Sequence, residues 1–151
     1  MSAEKISTEN VATTTRIVPP GMRVGVTEEM IHEVVHTFYA TIRTDPALGP
    51  IFKRVIGADW DPHLAKMCDF WSSVLLMTGR FDGNPMAKHI AVGGIRPTHF
   101  ARWLHLFRQT VEKLCPQPAA AMFVMRSEMI ATALQRGIAV FAPQVSDANA
   151  S

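Results

Sequence analysis

Three residue types in this chain combine metal-ligating or hydrogen-bonding groups with apolar surroundings: six histidines, the single tyrosine Tyr39 and three tryptophans. His89 lies in GNPMAKHIAVGG, residues 83–94, within a stretch, residues 79–97, that holds four glycines and two prolines. Such a stretch reads as a loop too broken for a long helix, and a loop of that length usually has a task or is tied to something. An imidazole there can be solvated, can cap, or can ligate something large. Tyr39 follows Phe38 at the edge of an apolar stripe, His63 precedes Leu64 and shares a helical face with Met67, and Trp103 lies inside another stripe. Once buried, each of these tips needs a partner. A phenol, an imidazole and an indole N–H can therefore converge on one cavity, with His89 facing it.

The bland alternative is that the histidines are surface or half-buried residues and that Tyr39 and Trp103 are core residues with satisfied tips. His32 and His36 are an i, i+4 pair without the neighbouring ligands typical of zinc, and read as solvated. His99 and His105 read as structural or exposed. The sequence has no HExxH, CxxC, P-loop or GxSxG motif. The glycines at 79, 83, 93 and 94 follow no strand pattern, which excludes a dinucleotide fingerprint.

The elements that must position these groups are helical. TEEMIHEVVHTFYATIR carries Met30, Val34 and Phe38 on one side, widened by Ile31, Val35 and Ile42, with Thr27 as N-cap. TDPALGP stops it, and IFKRVIG reads as a short helix ending at Gly57. A second long helix is expected from Asp61, as N-cap before Pro62, to Thr78, with Leu64, Met67, Cys68, Trp71 and Leu75 apolar. A third begins near Thr98 as N-cap and carries Phe100, Trp103, Leu104, Phe107, Val111 and Leu114. A fourth spans about Ala119–Phe141, with Phe123, Ile130, Leu134, Ile138 and Phe141 on its buried side. No strand pattern is evident, so the fold class is all-α with four principal helices.

A chain of 151 residues suits one domain, and 48% hydrophobic residues are enough for a core. We expect flexible polar tails at 1–24 and 142–151 around a folded domain at 25–141. The net charge of +2 and the scattered basic residues exclude a phosphate-tracking surface, and no run reaches membrane-span length. Two cysteines and a polar start point to a reduced, cytoplasmic protein, with Cys68 as core filler.

FYATIRTDPALGPIF, HLAKMCDFWSSVLLMTGRFDGNPMAKH and HFARWLHLFRQTV, in that order, resemble the group III truncated haemoglobins over about residues 27–141. The resemblance implies a truncated globin fold, a two-over-two helical sandwich around haem b. It implies that His89 is the proximal iron ligand, which would account for the tethered segment. Tyr39, His63 and Trp103 become the distal donors, and Phe52 packs on the haem. Leu64 and Met67 would supply the apolar wall, Trp71 the far end of the site, and Lys66 or Arg96 a partner for a propionate. The ring nitrogen of His89 facing away from iron should donate to a backbone carbonyl. The function implied is reversible binding of dioxygen or another diatomic gas at a five-coordinate iron. The alternative is a haem redox enzyme, a nitric oxide dioxygenase or peroxidase-like, served by a separate reductase. A haem-free helical interaction module is a third reading.

Overall fold

A computed structural model describes residues 17–141. The expected tails, apart from residues 17–24, lie outside that range. Among the described residues there are seven helices and no strand: α1 Pro20–Arg23, α2 Glu28–Thr44, α3 Gly49–Ile56, α4 Asp61–Leu76, α5 Pro85–Val92, α6 Pro97–Leu114 and α7 Gln117–Phe141. The four long helices expected from periodicity are α2, α4, α6 and α7. α2 packs with α4, α6 packs with α7, and α2 crosses onto α6, giving a two-over-two sandwich.

The apolar stripe of α2 supplies the centre. Ile31, Val34, Val35, Phe38 and Ile42 are essentially solvent-free and meet Leu75, Phe107, Val111 and Phe123 from the other long helices. Burying a side chain of this size stabilises the fold by about 1.5–3 kcal/mol. Aromatic contacts connect the layers. Phe38 meets Trp103 edge-on at 4.8 Å and Phe107 at 5.1 Å. Phe107 stacks on Trp103 at 4.9 Å and on Trp71 at 5.1 Å. Trp71 is therefore a core residue between α4, α6 and α7, also facing Phe123.

Several helix ends differ from expectation. Thr27 does cap α2, its hydroxyl accepting from the Met30 N–H at 3.1 Å. α4 is already helical at Asp61, with Trp60 in the cap position, and it ends at Leu76 with Met77 in the left-handed region. α6 starts at Pro97 rather than after Thr98. Its cap is Arg96, whose N–H donates to His99 Nδ1 at 2.9 Å while the His99 N–H donates to the Arg96 carbonyl at 2.9 Å. This gives His99 a structural role. Phe141 is 70% exposed, because α7 runs past its packing partners. At the other end α1 packs on α4. A Cβ on Gly21 would lie 2.7 Å from the Leu75 carbonyl oxygen, so packing begins ahead of the boundary expected at residue 25.

Asp45 joins two layers. Its Oδ2 accepts from the N–H groups of Ala47 at 3.1 Å and Leu48 at 2.9 Å, shaping the corner into α3. Its Oδ1 accepts from Arg102 Nε at 3.0 Å and Nη2 at 2.7 Å, which fixes α6 beside Trp103. The carboxylate is 3% exposed and the guanidinium 44%. The Arg102 hydrogen bonds lower the Asp45 pKa, outweighing burial, and the Leu48 and Ala47 amides lower it further. Asp45→Ala should destabilise the protein by about 2–3 kcal/mol, less than for a fully buried pair because Arg102 regains water. Urea unfolding at pH 7 measures this, and an unchanged midpoint would remove Asp45 from its joining role.

Candidate functional site

Tyr39 lies on the buried side of α2, 5% exposed, beneath a cluster of rings. His63, on the first turn of α4, meets it edge-on at 4.8 Å. Phe52 of α3 lies at 5.9 Å and Trp60 at 6.2 Å. Phe52 and Trp60 stack at 6.3 Å, and the Arg43 guanidinium covers Trp60 at 4.9 Å from its centroid. Trp103 joins from α6 through Phe38. The fold thus brings Tyr39, His63 and Trp103 together, as their spacing allowed, with Phe52, which the resemblance alone had placed there, beside them. Trp60 and Arg43 were missed. The available signal was an aromatic residue just before the Asp61-Pro62 helix start, where an apolar side chain commonly staples the first turn.

The electrostatics favour neutral donors. Burial pushes the Tyr39 phenol far up, and the Trp103 indole opposes this only in part, so the hydroxyl keeps its proton. Burial, helped by the Lys66 charge, lowers the His63 pKa from 6.5 to about 4, so the ring is neutral at pH 7. Its Nε2 is buried and has no hydrogen-bond partner within the described residues. A stranded buried polar atom costs about 1–3 kcal/mol, a cost relieved when a ligand reaches it.

His89 stands on a helix, not in a loop. The Asn84 side chain accepts from the Ala87 N–H at 3.1 Å and Pro85 fills the first helical position, so α5 starts cleanly. Gly93 and Gly94, both at positive φ, end it after eight residues. The His89 Nδ1 lies 2.6 Å from the Pro85 carbonyl oxygen. A carbonyl can only accept, so Nδ1 carries the proton and Nε2 presents a free lone pair.

The segment leading to α5 is held by a polar network that the sequence reading did not find. Arg80 Nη2 donates to Glu28 Oε2 at 2.7 Å and to Ser72 Oγ at 2.9 Å. Ser72 donates to Glu28 at 2.9 Å and receives the Thr78 hydroxyl at 2.8 Å, and Ser73 Oγ accepts from the Phe81 N–H at 2.9 Å. α5 itself packs mainly on α7, where the Met86 side chain occupies the space a Cβ on Gly137 would need.

These placements leave apolar side chains on three helices only half covered. His63, Met67, Phe70 and Val74 recur at i, i+4, i+7 and i+11 on one face of α4 and are all only half-buried. Leu64, beside them, is half-buried too. Phe100, Trp103 and Leu104 on α6 are half-buried, whereas Phe107 and Val111 of the same stripe are buried. α5 has no buried residue, although Met86, Ile90 and Val92 are apolar. Unfinished apolar faces on three helices, an unpartnered imidazole nitrogen and a free histidine lone pair fit a flat apolar group with a metal centre. Lys66 and Arg96 are exposed and make no ion pair among the described residues.

The chain is similar to the group 3 truncated hemoglobin ctb of Campylobacter jejuni, with 32% identity over 113 residues covering 73% of this chain and 89% of that protein. A crystal structure of a group III truncated hemoglobin from Campylobacter jejuni superposes with a TM-score of 0.72 at 31% identity, covering 75% of this chain and 91% of that one. The group II truncated hemoglobin from Bacillus anthracis matches with a TM-score of 0.62 at 23% identity, covering 82% of this chain and 92% of that one, and so shares the fold. No protein-family model matches the chain. The protein has a truncated globin fold. It belongs to the group III truncated haemoglobin family, whose members are globin-type haem proteins. Among the described residues no helix is long and apolar enough to cross a membrane.

The lowered His63 pKa has a consequence for stability. Between about 4 and 6.5 the unfolded imidazole binds a proton that the folded one refuses. Stability contributed by the neutral ring is complete above pH 6.5 and is lost as pH falls towards 4; the Asp45 contribution is lost only below 3.8. Urea midpoints of the haem-free chain should therefore fall across pH 6.5 to 4, and His63→Leu should flatten that window. Parallel curves for the two proteins would contradict the burial of a neutral His63.

Proposed function

We propose that α4, α5 and α6 enclose a slot that holds haem b, bound through His89 Nε2, and that the protein reversibly binds dioxygen or another diatomic gas at a five-coordinate iron. The observation that carries this reading is His89. Its Nδ1 is engaged by Pro85, its Nε2 is free, and the apolar residues Met86, Ile90 and Val92 of its helix are only half-buried. Haem held by His89 would supply an iron able to bind a small gas. The chain's own residues do the rest. Phe52, Leu64 and Met67 exclude water and pack the ring faces, and Lys66 and Arg96 offer charge to the propionates. The Tyr39 hydroxyl and the Trp103 N–H donate to partial negative charge on the gas, more effectively in a dry pocket. His63, neutral and with Nε2 unpartnered, adds a third polar contact or admits solvent. Noncovalent haem b is consistent with the absence of a CxxC attachment motif.

The same three donors also suit nitric oxide dioxygenation or peroxide reduction, with electrons from a separate reductase. Turnover of nitric oxide or peroxide with a reductant present distinguishes such an enzyme from a carrier.

His89→Ala should lower both haem retention and the thermal midpoint, because a group that binds only the folded chain stabilises it. Added imidazole should restore the spectrum; imidazole-type five-coordinate spectra in the variant without it would disprove the assignment. On the distal side, Tyr39→Phe keeps the ring and removes one donor, costing about 1–3 kcal/mol of dioxygen binding. At about 1.4 kcal/mol per factor of ten, dioxygen should leave roughly ten- to hundredfold faster, with carbon monoxide release changed less. Trp103→Phe should act in the same direction and lose more stability through the volume it leaves. Stopped-flow release of both gases from each variant reads the result, and unchanged dioxygen release in both would exclude them as donors.

A further inference from the structure

One pair of metal-ligating side chains lies outside the haem slot and has no role in it. His32 and His36 project from the exposed side of α2, one turn apart, and their rings stack at 3.9 Å between centroids with planes 23° apart. Both residues are exposed, and among the described residues neither ring makes a hydrogen bond to protein. The spacing is preset, because the opposite face of α2 is the most buried surface in the fold: Ile31, Val34 and Val35 leave the helix no freedom to turn. A late transition-metal ion with bonds of about 2.0–2.1 Å holds two imidazole nitrogens roughly 3 Å apart, which the i, i+4 spacing allows once the exposed rings rotate out of the stack so that their in-plane lone pairs converge.

We infer that His32 and His36 form an exposed bis-imidazole site for a divalent late transition-metal ion, copper(II) foremost. Imidazole suits copper, nickel and zinc rather than calcium or magnesium, and copper(II) heads the divalent affinity order. Partial burial and, after it, the neighbouring His32 lower the His36 pKa, while the Asp61 carboxylate opposes both. Asp61, at the start of α4, places a negative charge near His36. No third histidine, cysteine, aspartate or glutamate completes a set among the described residues. The remaining coordination positions would therefore carry water or an exchangeable ligand, and the site is open rather than structural.

The test titrates copper(II) into the haem-loaded full chain, in which His89 and the distal pocket are occupied. Electron paramagnetic resonance reads the copper ligands and calorimetry reads stoichiometry and affinity. The expected result is one copper(II) per chain with coupling to two imidazole nitrogens. His32→Ala and His36→Ala should each weaken binding by at least about tenfold, since loss of even an outer-sphere partner costs metal sites 10- to 100-fold. His105→Ala, which removes an exposed histidine from α6, should leave the affinity unchanged. Wild-type affinity in both His32→Ala and His36→Ala, or loss of binding in His105→Ala, would overturn the assignment.

Discussion

Apolar surface that the chain cannot bury by itself shapes this molecule. On α4 the face carrying Trp71 and Leu75 is closed against the core, while the neighbouring face carrying Met67, Phe70 and Val74 stays half-open. α6 divides in the same way between Phe107 with Val111 and Phe100 with Trp103. α5 has no closed face. At about 25 cal/mol for each Å² of apolar surface removed from water, these faces hold stabilisation that is realised only when a flat apolar group fills the space between them. Folding and cofactor retention are thereby linked through one pool of free energy.

The two sides of that space are built differently. The side carrying Tyr39 rests on the most deeply buried helix, on a continuous set of ring contacts from Tyr39 through Phe38 and Trp103 to Phe107, and on the charged link between Asp45 and Arg102. Such a surface holds donors at set positions without cost at the moment a ligand arrives. The side carrying His89 rests on α5, which leans on α7 through Met86 and is tethered through Arg80, Glu28 and Ser72. Those charged partners are close to half exposed, and exposed pairs contribute only fractions of a kcal/mol each. An axial bond at His89 would therefore do more to order its own helix than any protein contact there.

Much of this was legible in the residues themselves. The 3.6-residue rhythm located α2, α4, α6 and α7, because each must turn one stripe to the core, and the same rhythm put Tyr39, His63 and Trp103 on faces that can meet. The expectation that one His89 nitrogen is held by a backbone carbonyl agrees with its contact to Pro85. Other features left no such trace. α5 is short and bordered by glycines, so its helical character depends on the Asn84 cap, and a broken composition hides it. Periodicity counted Trp71 as apolar without distinguishing core from slot, since both faces of α4 are hydrophobic and only the neighbouring helices decide which one closes.

What the sequence alone determined was therefore the four long helices, their apolar stripes and the identity of the groups able to ligate and donate, because these follow from local periodicity and side-chain chemistry. The tertiary structure alone decided the partners. The pairing of Asp45 with Arg102 and of Arg80 with Glu28 joins residues far apart in the chain. The burial that lowers the His63 pKa and strands its Nε2 depends on how α2, α3 and α4 close around it. Interactions of that kind arise from distance in space, which no spacing along the chain encodes.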